Sequence, residues 1–223
     1  NWTMHKKRKI IKVGTFNLLN LALANRSFYG HQSYSTQEYE QKKAWVKQQL
    51  LKMDADIIGF QEVFDVAALQ AVIDNTPGYE AATLLISEKR GGAPAVAIVS
   101  KFPIKSSAVY THFPERLDIE GLEVPFDQFS RPVLSASIQI APSLEVAVFV
   151  AHLKSKRPLV PEGKDRHDPR EQAKGAARSL LMRACESNAL RHIMLDSLEN
   201  SQLPHIALGD FNDTHTAVTT QII

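Results

Sequence analysis

Polar side chains that could do chemistry follow four apolar segments of the sequence, each at the point where a strand would end. They are Asn17, Glu62, His152 and the pair Asp210 and Asn212. Because strand ends converge at the edge of a sheet, such residues can meet there, and α/β folds favour these edges as functional sites. Two carboxylates, two amides and an imidazole would suit a hard metal ion and a phosphate group.

Each of these residues also has a purely structural interpretation when it is taken alone. Asn17 and the Gly209–Asp213 segment could form turns, which Asn, Asp and Gly favour. Glu62 could cap a helix that begins near Asp65, and an isolated histidine such as His152 is more often structural. Their joint recurrence in one context favours the functional interpretation.

Two cations are candidates for binding phosphate. Lys154 lies two residues after His152, so its side chain faces the same way while the chain stays extended. Arg131 precedes Pro132 on a predicted strand. Because Lys and Arg are mostly exposed, a solvated Lys154 and a structural ion pair at Arg131 remain open as alternatives.

The strands that must position these residues are short, apolar and rich in β-branched side chains. A loop is expected from Asn17 to Ser35, and a hairpin is expected around Ala141-Pro142. The predicted strands are Ile10–Phe16, Asp56–Phe60, Tyr79–Ser87, Ala95–Ser100, Ser106–His112, Pro132–Ile140, Leu144–Ala151 and Ile206–Leu208.

Three helices are predicted from their start signals. Ser35 and Glu38 form a capping box for a helix that ends near Lys52. Asp65 is expected to cap a second helix, and Asp168-Pro169 begins a third that runs to Glu199 with a bend near Ser187. The order of strands and helices fits an α/β sandwich better than a uniformly parallel sheet.

The composition is that of an ordinary globular chain of 223 residues, 44% apolar and 22% charged. It excludes a disordered chain, a coiled coil and a collagen-like fibre. No apolar run approaches the roughly 18 residues of a membrane span. The single cysteine, Cys185, excludes an internal disulfide and implies a reducing compartment or indifference to redox conditions. The length predicts one domain.

The net charge of +2 conceals two basic stretches. Five Lys and Arg lie between His5 and Lys12, and eight lie between His152 and Arg178 against four acids. Such patches can attract phosphate, with solvated surface as the alternative. The start of the chain lacks the apolar core of a secretory signal, which favours the cytoplasm. A removed signal peptide stays open, since Asn1 need not be the natural start.

Five segments in order along the chain carry a family resemblance: Gly14–Asn17, Asp56–Val63, Ala95–Ile104, the strand leading to His152, and Leu208–Asn212. Together they make the chain resemble the endonuclease/exonuclease/phosphatase superfamily, which includes DNase I, exonuclease III and inositol polyphosphate 5-phosphatases. The sequence after His152 is most similar to the bacterial nuclease-like branch. The resemblance implies a four-layer α/β/β/α sandwich of two mainly antiparallel sheets with helices on the outer faces.

The resemblance also implies roles for the candidate residues. Glu62 would be the principal ligand of Mg²⁺, which Mn²⁺ could replace, with Asn17 beside it. His152 would contact a phosphate oxygen, Asp210 would orient or deprotonate the attacking water, and Asn212 would hold the geometry of that attack. Lys154 and Arg131 would bind the substrate phosphate.

One departure from the family pattern is the absence of a terminal Ser-Asp-His motif, since His215 follows Asn212 too closely to supply it. We therefore expect the last strands of the fold to be missing from this chain, so that the domain over residues 1–223 is incomplete at its C-terminal end.

Three functions remain open from the sequence. The basic stretch after His152 favours a nuclease with a nucleic acid as substrate, and no obligate protein partner is evident. A phosphatase or phosphodiesterase for a small-molecule or lipid phosphate is the second hypothesis, with Tyr29, Tyr34 and the Glu115–Phe129 loop as possible pocket walls. A non-catalytic binding domain of the same fold is the third.

Overall fold

Two four-stranded sheets form the centre of the fold in the computed structural model, which describes residues 10–115, 117 and 119–223. Each sheet has one parallel pair at an edge, β1–β2 or β7–β8, and its other pairings are antiparallel. The first sheet has the order β1 (Val13–Leu21), β2 (Ile57–Val63), β4 (Ala95–Ser100), β3 (Thr83–Ile86); the second has β5 (Ile104–His112), β6 (Gln128–Ala141), β7 (Leu144–His152), β8 (His205–Asp210).

Three layers of apolar side chains separate the sheets and helices. One layer joins the first sheet to the helices α1 (Thr36–Met53) and α2 (Val66–Asp74). A second lies between the two sheets. A third joins the second sheet to α3 (Pro169–Asn200), against which the short α4 (Val218–Ile222) packs. The predicted α/β/β/α sandwich with mainly antiparallel sheets is confirmed.

The two sheets approach each other closely at Gly59 on β2. A methyl group at this position would lie 2.9 Å from Cγ2 of Val150 on β7 and 3.2 Å from Cβ of Leu208 on β8. Real Cβ atoms avoid such separations, because the interior is already packed to the density of a crystal. A glycine is therefore needed for the sheets to meet at this distance.

The first strand differs from its prediction. It covers Val13–Leu21, whereas the sequence predicted a loop from Asn17 onward. Leu19 and Asn20 have φ values of 52° and 65°, and the pairing with β2 changes register between Asn17 and Leu21. A bulge of this kind has no periodic apolar signal, so the sequence pattern ended the strand too early.

The start of α2 also differs from its prediction. Asp65 occupies the N-cap position, but its side chain caps no backbone N–H of the helix. Its carboxylate instead accepts a hydrogen bond from the Leu23 N–H at 2.9 Å and pairs with Arg26 at 3.0 Å. Asp65 therefore fixes the segment that follows β1.

The other capping predictions are confirmed. Ser35 and Glu38 form the reciprocal capping box of α1, and Asp168 accepts the Arg170 N–H at the start of α3. The Ala141-Pro142 hairpin joins β6 and β7. The strand predicted over Tyr79–Ser87 shortens to Thr83–Ile86, because the preceding backbone forms turns in which the Tyr79 N–H donates to the Thr76 carbonyl and the Ala82 N–H donates to the Tyr79 carbonyl.

Helix α3 runs without interruption through Ser187, where a bend was expected. Its buried positions keep a helical spacing, but the first five of them carry the polar or small side chains Glu171, Gly175, Ser179, Arg183 and Glu186. The apolar residues of the sequence therefore change phase, although the helix itself is continuous. No described helix is long and apolar enough to cross a membrane. The basic residues Lys6–Lys9 lie outside the described residues.

Candidate active site

The two parallel strand pairs bring the candidate residues to one end of the sandwich. Asn17 on β1 pairs in register with Gln61 on β2, one residue before Glu62. His152, the last residue of β7, pairs in register with Asp210, the last residue of β8. The edge strands β1 and β8 contact each other across the sandwich. Strand ends from both sheets therefore meet, as the sequence pattern predicted.

The Asn17 side chain bridges the two carboxylates. Its Nδ2 donates to Oε1 of Glu62 at 3.1 Å and to Oδ2 of Asp210 at 3.0 Å. Its Oδ1 accepts the Leu19 N–H at 2.9 Å, so the turn interpretation also holds. In this orientation the amide nitrogen faces the carboxylates, and a metal-ligand role for the amide oxygen would require the amide to turn over.

Glu62 occupies a strained position on β2. Its φ of 61° is in the left-handed region, where a non-glycine residue costs of the order of 1–3 kcal/mol. The ladder with β4 changes register between Phe60 and Val63. The turned backbone aims the carboxylate at β1, where Oε2 accepts the Asn20 N–H at 3.0 Å. The helix-cap interpretation of Glu62 is therefore wrong.

A tight turn after β8 fixes Asp210. Oδ1 of Asp210 accepts the Asn212 N–H at 2.9 Å, and Nδ2 of Asn212 donates to the Leu153 carbonyl at 2.7 Å. Gly209 before it has a φ of 156°, and a Cβ there would lie 2.0 Å from the Ala151 carbonyl oxygen. The turn directs Oδ2 of Asp210 toward Asn17 and His152.

His152 lies beside Asp210 in a buried position, with 6% of its side chain exposed. Its Nε2 is 3.7 Å from Oδ2 of Asp210, and its Nδ1 has no hydrogen-bond partner among the described residues. Burial, followed by the charges of Arg131 and Lys154, lowers the pKa of His152 to about 4, although Asp210 opposes this shift. The imidazole is therefore neutral at pH 7, with one N–H donor and one acceptor nitrogen.

Arg131 supports the end of β7 from the neighbouring strand. Its Nε donates to the His152 carbonyl at 2.9 Å and its Nη2 to the Leu153 carbonyl at 2.5 Å. Burial lowers the pKa of Arg131, while Glu186, Tyr29, Glu62 and Asp210 raise it. Within the described part of the chain Arg131 forms no ion pair closer than 4 Å, so its positive charge is available to the site.

Lys154 is buried, with 9% of the residue exposed, so the solvated-lysine alternative is wrong. Its Nζ donates to the hydroxyl of Ser155 at 3.1 Å and to the carbonyl of Ser155 at 3.4 Å. Burial and the charge of Arg131 lower the pKa of Lys154. The lysine lies beside the other candidates without an acidic partner within 4 Å among the described residues.

Glu186 on α3 was missed by the sequence analysis. It is fully buried, and it accepts hydrogen bonds from the N–H and hydroxyl of Ser130 at 2.9 and 2.8 Å and from the Lys154 N–H at 2.6 Å. It therefore joins the start of β6 to the chain after His152. The only sequence feature that could have pointed to Glu186 was the change in phase of the apolar residues along α3.

Asp213 holds the turn after β8 through three side-chain partners. Asp213 accepts hydrogen bonds from Nε of Arg183 at 3.3 Å and from the Thr219 hydroxyl at 2.7 Å, and it pairs with Lys156 at 2.8 Å. The hydrogen bonds from Lys156 and Thr219 hold the pKa of Asp213 well below its usual range. Arg183 also donates to the Lys154 carbonyl at 3.3 Å, which links both sides of the site.

The donor set fits a hard cation such as Mg²⁺. Glu62 and Asp210 supply carboxylate oxygens on either side of Asn17, and Oδ1 of Asn20 is buried without a partner among the described residues. In that same part of the chain, no group of three or more His, Cys, Asp or Glu side chains could hold a metal alone. Mg²⁺ commonly takes one or two carboxylates and completes its octahedron with water and substrate phosphate.

A family model described as the endonuclease/exonuclease/phosphatase family matches residues 14–223. The chain belongs to this family. Enzymes of the endonuclease/exonuclease/phosphatase family are generally phosphoesterases that use divalent metals, and the candidate residues lie within the matched segment. No curated protein matches the chain.

Solved structures share the fold of this family. A family member from Bacteroides thetaiotaomicron is 17% identical with a TM-score of 0.57, over 94% of this chain and 66% of that one. The catalytic domain of human Nocturnin with bound sulfate anion is 15% identical with a TM-score of 0.55, over 92% and 66%. A mannosyl-6-phosphatase from B. thetaiotaomicron is 17% identical with a TM-score of 0.57, over 96% and 69%. The chain thus spans about two thirds of these structures.

Proposed function

We propose that this protein is a metal-dependent phosphodiesterase that acts as a nuclease. The observation that carries the proposal is the Asn17 amide, which holds the Glu62 and Asp210 carboxylates together 3.1 and 3.0 Å from one nitrogen. Two carboxylates of this kind attract a divalent cation, and a neutral imidazole lies beside one of them. This set matches the needs of phosphoryl transfer, in which charge builds on the oxygens around phosphorus.

Each residue has a defined task in this mechanism. When bound, Mg²⁺ or Mn²⁺ would offset negative charge on the phosphate oxygens, and Glu62 would hold it with the Asn17 amide nearby. The N–H of His152 donates to a phosphate oxygen, and Lys154 and Arg131 supply positive charge beside it. Because His152 stays neutral down to a pH of about 4, its donor capacity persists across the physiological range.

Asp210 acts on the attacking water. The Asn212 N–H holds Oδ1 of Asp210 and the Asn17 amide holds Oδ2, and the second lone pair of Oδ2 would accept the proton of the water. Aspartate has an ordinary pKa of about 3.9 and is a weak base toward bulk water. It becomes effective when the water is fixed in place and the proton moves late in the step. The water then displaces the leaving oxygen in line.

The cations around the site favour a phosphodiester in a nucleic acid strand. Lys154 and Arg131 lie beside His152, and the basic stretch continues toward Arg178. Backbone phosphates dominate the affinity of proteins for nucleic acids, so clustered cations next to a hydrolytic site suit such a substrate.

A phosphatase for a small-molecule phosphate is the second candidate, because Tyr29 lies at the rim of the site. Its side chain is half-exposed. Burial and the Glu62 charge raise the pKa of Tyr29, while the charges of Arg131 and Arg157 lower it. Such a ring could contact a sugar or ring substrate. Tyr34 instead bonds to the Asn20 carbonyl. The Glu115–Phe129 loop encloses a separate cavity of about 400 Å³ that none of the candidate catalytic residues lines.

The test is hydrolysis of four substrates with Mg²⁺, with Mn²⁺ and with EDTA. They are a DNA or RNA oligonucleotide, bis-p-nitrophenyl phosphate, p-nitrophenyl phosphate and an inositol phosphate. We expect metal-dependent turnover of the diesters, and a loss of at least about 10²–10³-fold in kcat for Glu62→Gln and Asp210→Asn. Glu199→Gln, an exposed position on α3, is the matched control and should retain full activity.

The outcomes separate the hypotheses. Turnover confined to monoesters would support the small-molecule phosphatase and contradict the nuclease. An absence of turnover on all four substrates with either metal would contradict both enzymes and leave a binding domain. Equal rates with metal and with EDTA would contradict the role given to Glu62.

A further inference from the structure

A cationic cavity of about 640 Å³ opens beside Lys154, on the segment between β7 and α3. Its polar walls are Lys154, Arg157, Arg166, His167 and Gln172. No acidic side chain lines it. The cavity therefore differs from the catalytic cluster, where two carboxylates face each other.

The cations of these walls form no close ion pairs in the described part of the chain: Lys154, Arg157 and Arg166 have no acidic partner within 4 Å there. Three of the four acids in the stretch have other partners: Asp165 accepts the His167 N–H, Asp168 accepts the Arg170 N–H, and Glu171 pairs with Lys174. Three cations without a close acidic partner around one cavity attract an anion.

The wall that carries Arg157 is fixed to α3. The Ser179 hydroxyl donates to the Arg157 carbonyl at 2.6 Å, and Nη1 of Arg178 donates to the Leu159 carbonyl at 3.0 Å. The Leu159 N–H donates to the Gly175 carbonyl at 3.1 Å. A Cβ on Gly175 would lie 2.9 Å from Cβ of Pro158. This close docking holds the cavity open before a ligand binds.

The cavity and the catalytic cluster share one residue. Lys154 lines the cavity and lies two residues after His152, a distance of about 7 Å along an extended chain. The charge of Arg157 lowers the pKa of Tyr29, on which the charges of Glu62 and Arg131 also act. An anion in the cavity would therefore lie next to the phosphate held by His152, at the scale of one nucleotide unit.

We propose that this cavity binds the phosphate that neighbours the scissile phosphodiester, so that the substrate is a nucleic acid strand bound through at least two successive phosphates. The inference rests on the proposed phosphodiesterase function. Arg157 and Arg166 would hold phosphate oxygens through their planar donor pairs, and Lys154 would contribute a point charge between the two phosphates. A substrate with a single phosphate would gain nothing from the cavity.

Binding without catalysis tests the subsite directly. A fluorescein-labelled single-stranded oligonucleotide would be titrated by anisotropy in EDTA at several salt concentrations. The Arg157→Ala/Arg166→Ala double variant is compared with Lys164→Ala/Arg170→Ala, which removes two exposed cations of the same stretch outside the cavity. We expect at least a tenfold weaker Kd and a shallower salt dependence for the cavity variant, and less than a threefold change for the control.

Equal weakening in both double variants would show diffuse surface charge and overturn the proposal, as would an unchanged Kd in the cavity variant. Kinetics give a second readout. The cavity variant should lose at least tenfold in kcat/KM on the oligonucleotide, through KM, and keep its rate on bis-p-nitrophenyl phosphate. A wild-type protein that binds the oligonucleotide through the cavity but hydrolyses no substrate would overturn the proposed function and leave the subsite standing.

Discussion

Nδ2 of Asn17 lies 3.0 Å from Oδ2 of Asp210, although 193 positions separate the two residues in the chain. Asn17 is on the edge strand of one sheet and Asp210 ends the edge strand of the other. This hydrogen bond therefore joins the two sheets at the candidate active site. The same Nδ2 also donates to Glu62, so the two carboxylates share one donor.

Asn17→Asp should remove both donors and add a third negative charge. We expect a loss of about 1–3 kcal/mol in the free energy of unfolding at pH 7, since two partly buried carboxylates lose their shared donor and face a like charge. Urea denaturation measures this loss, and millimolar Mg²⁺ should recover part of it. Gln41→Glu, an exposed amide-to-carboxylate change on α1, should have little effect. An Asn17→Asp protein as stable as the wild type would contradict the bridging role.

The stability of the protein should fall as the pH decreases from about 6.5 to about 4. In this window the unfolded state protonates His152, whereas the folded state keeps it neutral because burial lowers its pKa to about 4. The slope from this residue reaches about 1.4 kcal/mol per pH unit, or roughly 3 kcal/mol across the window. His152→Gln should flatten the urea-derived curve, whereas the exposed His192→Gln should not. Parallel curves for wild type and His152→Gln would refute this assignment.

Glu186→Ala should be among the most destabilising single changes on α3. It leaves the Lys154 N–H and both Ser130 donors without an acceptor, and breaking a buried charged network in this way costs about 3–5 kcal/mol. Glu186→Gln keeps the shape and should cost less, about 1–3 kcal/mol. Urea midpoints give both values, with Glu199→Gln at the exposed end of the helix as control. A loss below about 1 kcal/mol in Glu186→Ala would contradict the account.

Gly175→Ala should destabilise the protein, although glycine-to-alanine changes inside helices usually stabilise them by about 1 kcal/mol. The added methyl would lie 2.9 Å from Cβ of Pro158 and 3.0 Å from the backbone of Leu159, and overpacking of this kind costs about 1–3 kcal/mol. Thermal unfolding decides the sign. Glu199→Ala, at an exposed position of the same helix, should change the Tm by little. A higher Tm for Gly175→Ala would show that the segment is loosely docked.

The sequence predicted the positions of the site residues better than their orientations. Polar residues after apolar strands identified Asn17, Glu62, His152 and Asp210, because strand ends in this fold converge by geometry alone. The inverted Asn17 amide and the buried Lys154 depend on partners that are distant in the chain. Local spacing carries no information about such partners.

Two kinds of feature escaped prediction for physical reasons. Charged residues on a helix are normally exposed, so Glu186 gave no sign that it is buried and accepts the N–H groups of Ser130 on β6 and of Lys154 after β7. The strained backbone at Leu19, Asn20 and Glu62 has no periodic pattern. At Asp65 a local capping preference yielded to the tertiary contact with Arg26.

The close packing of Gly59 against Val150 affects the width of the candidate active site. Glu62 follows Gly59 on one sheet, and His152 follows Val150 on the other. The gap across which the two sets of groups face each other is therefore spaced by an apolar contact beneath it. Core substitutions that never touch a substrate could widen or narrow that gap. The packing between the two sheets would thereby set the width of the opening that receives a phosphate.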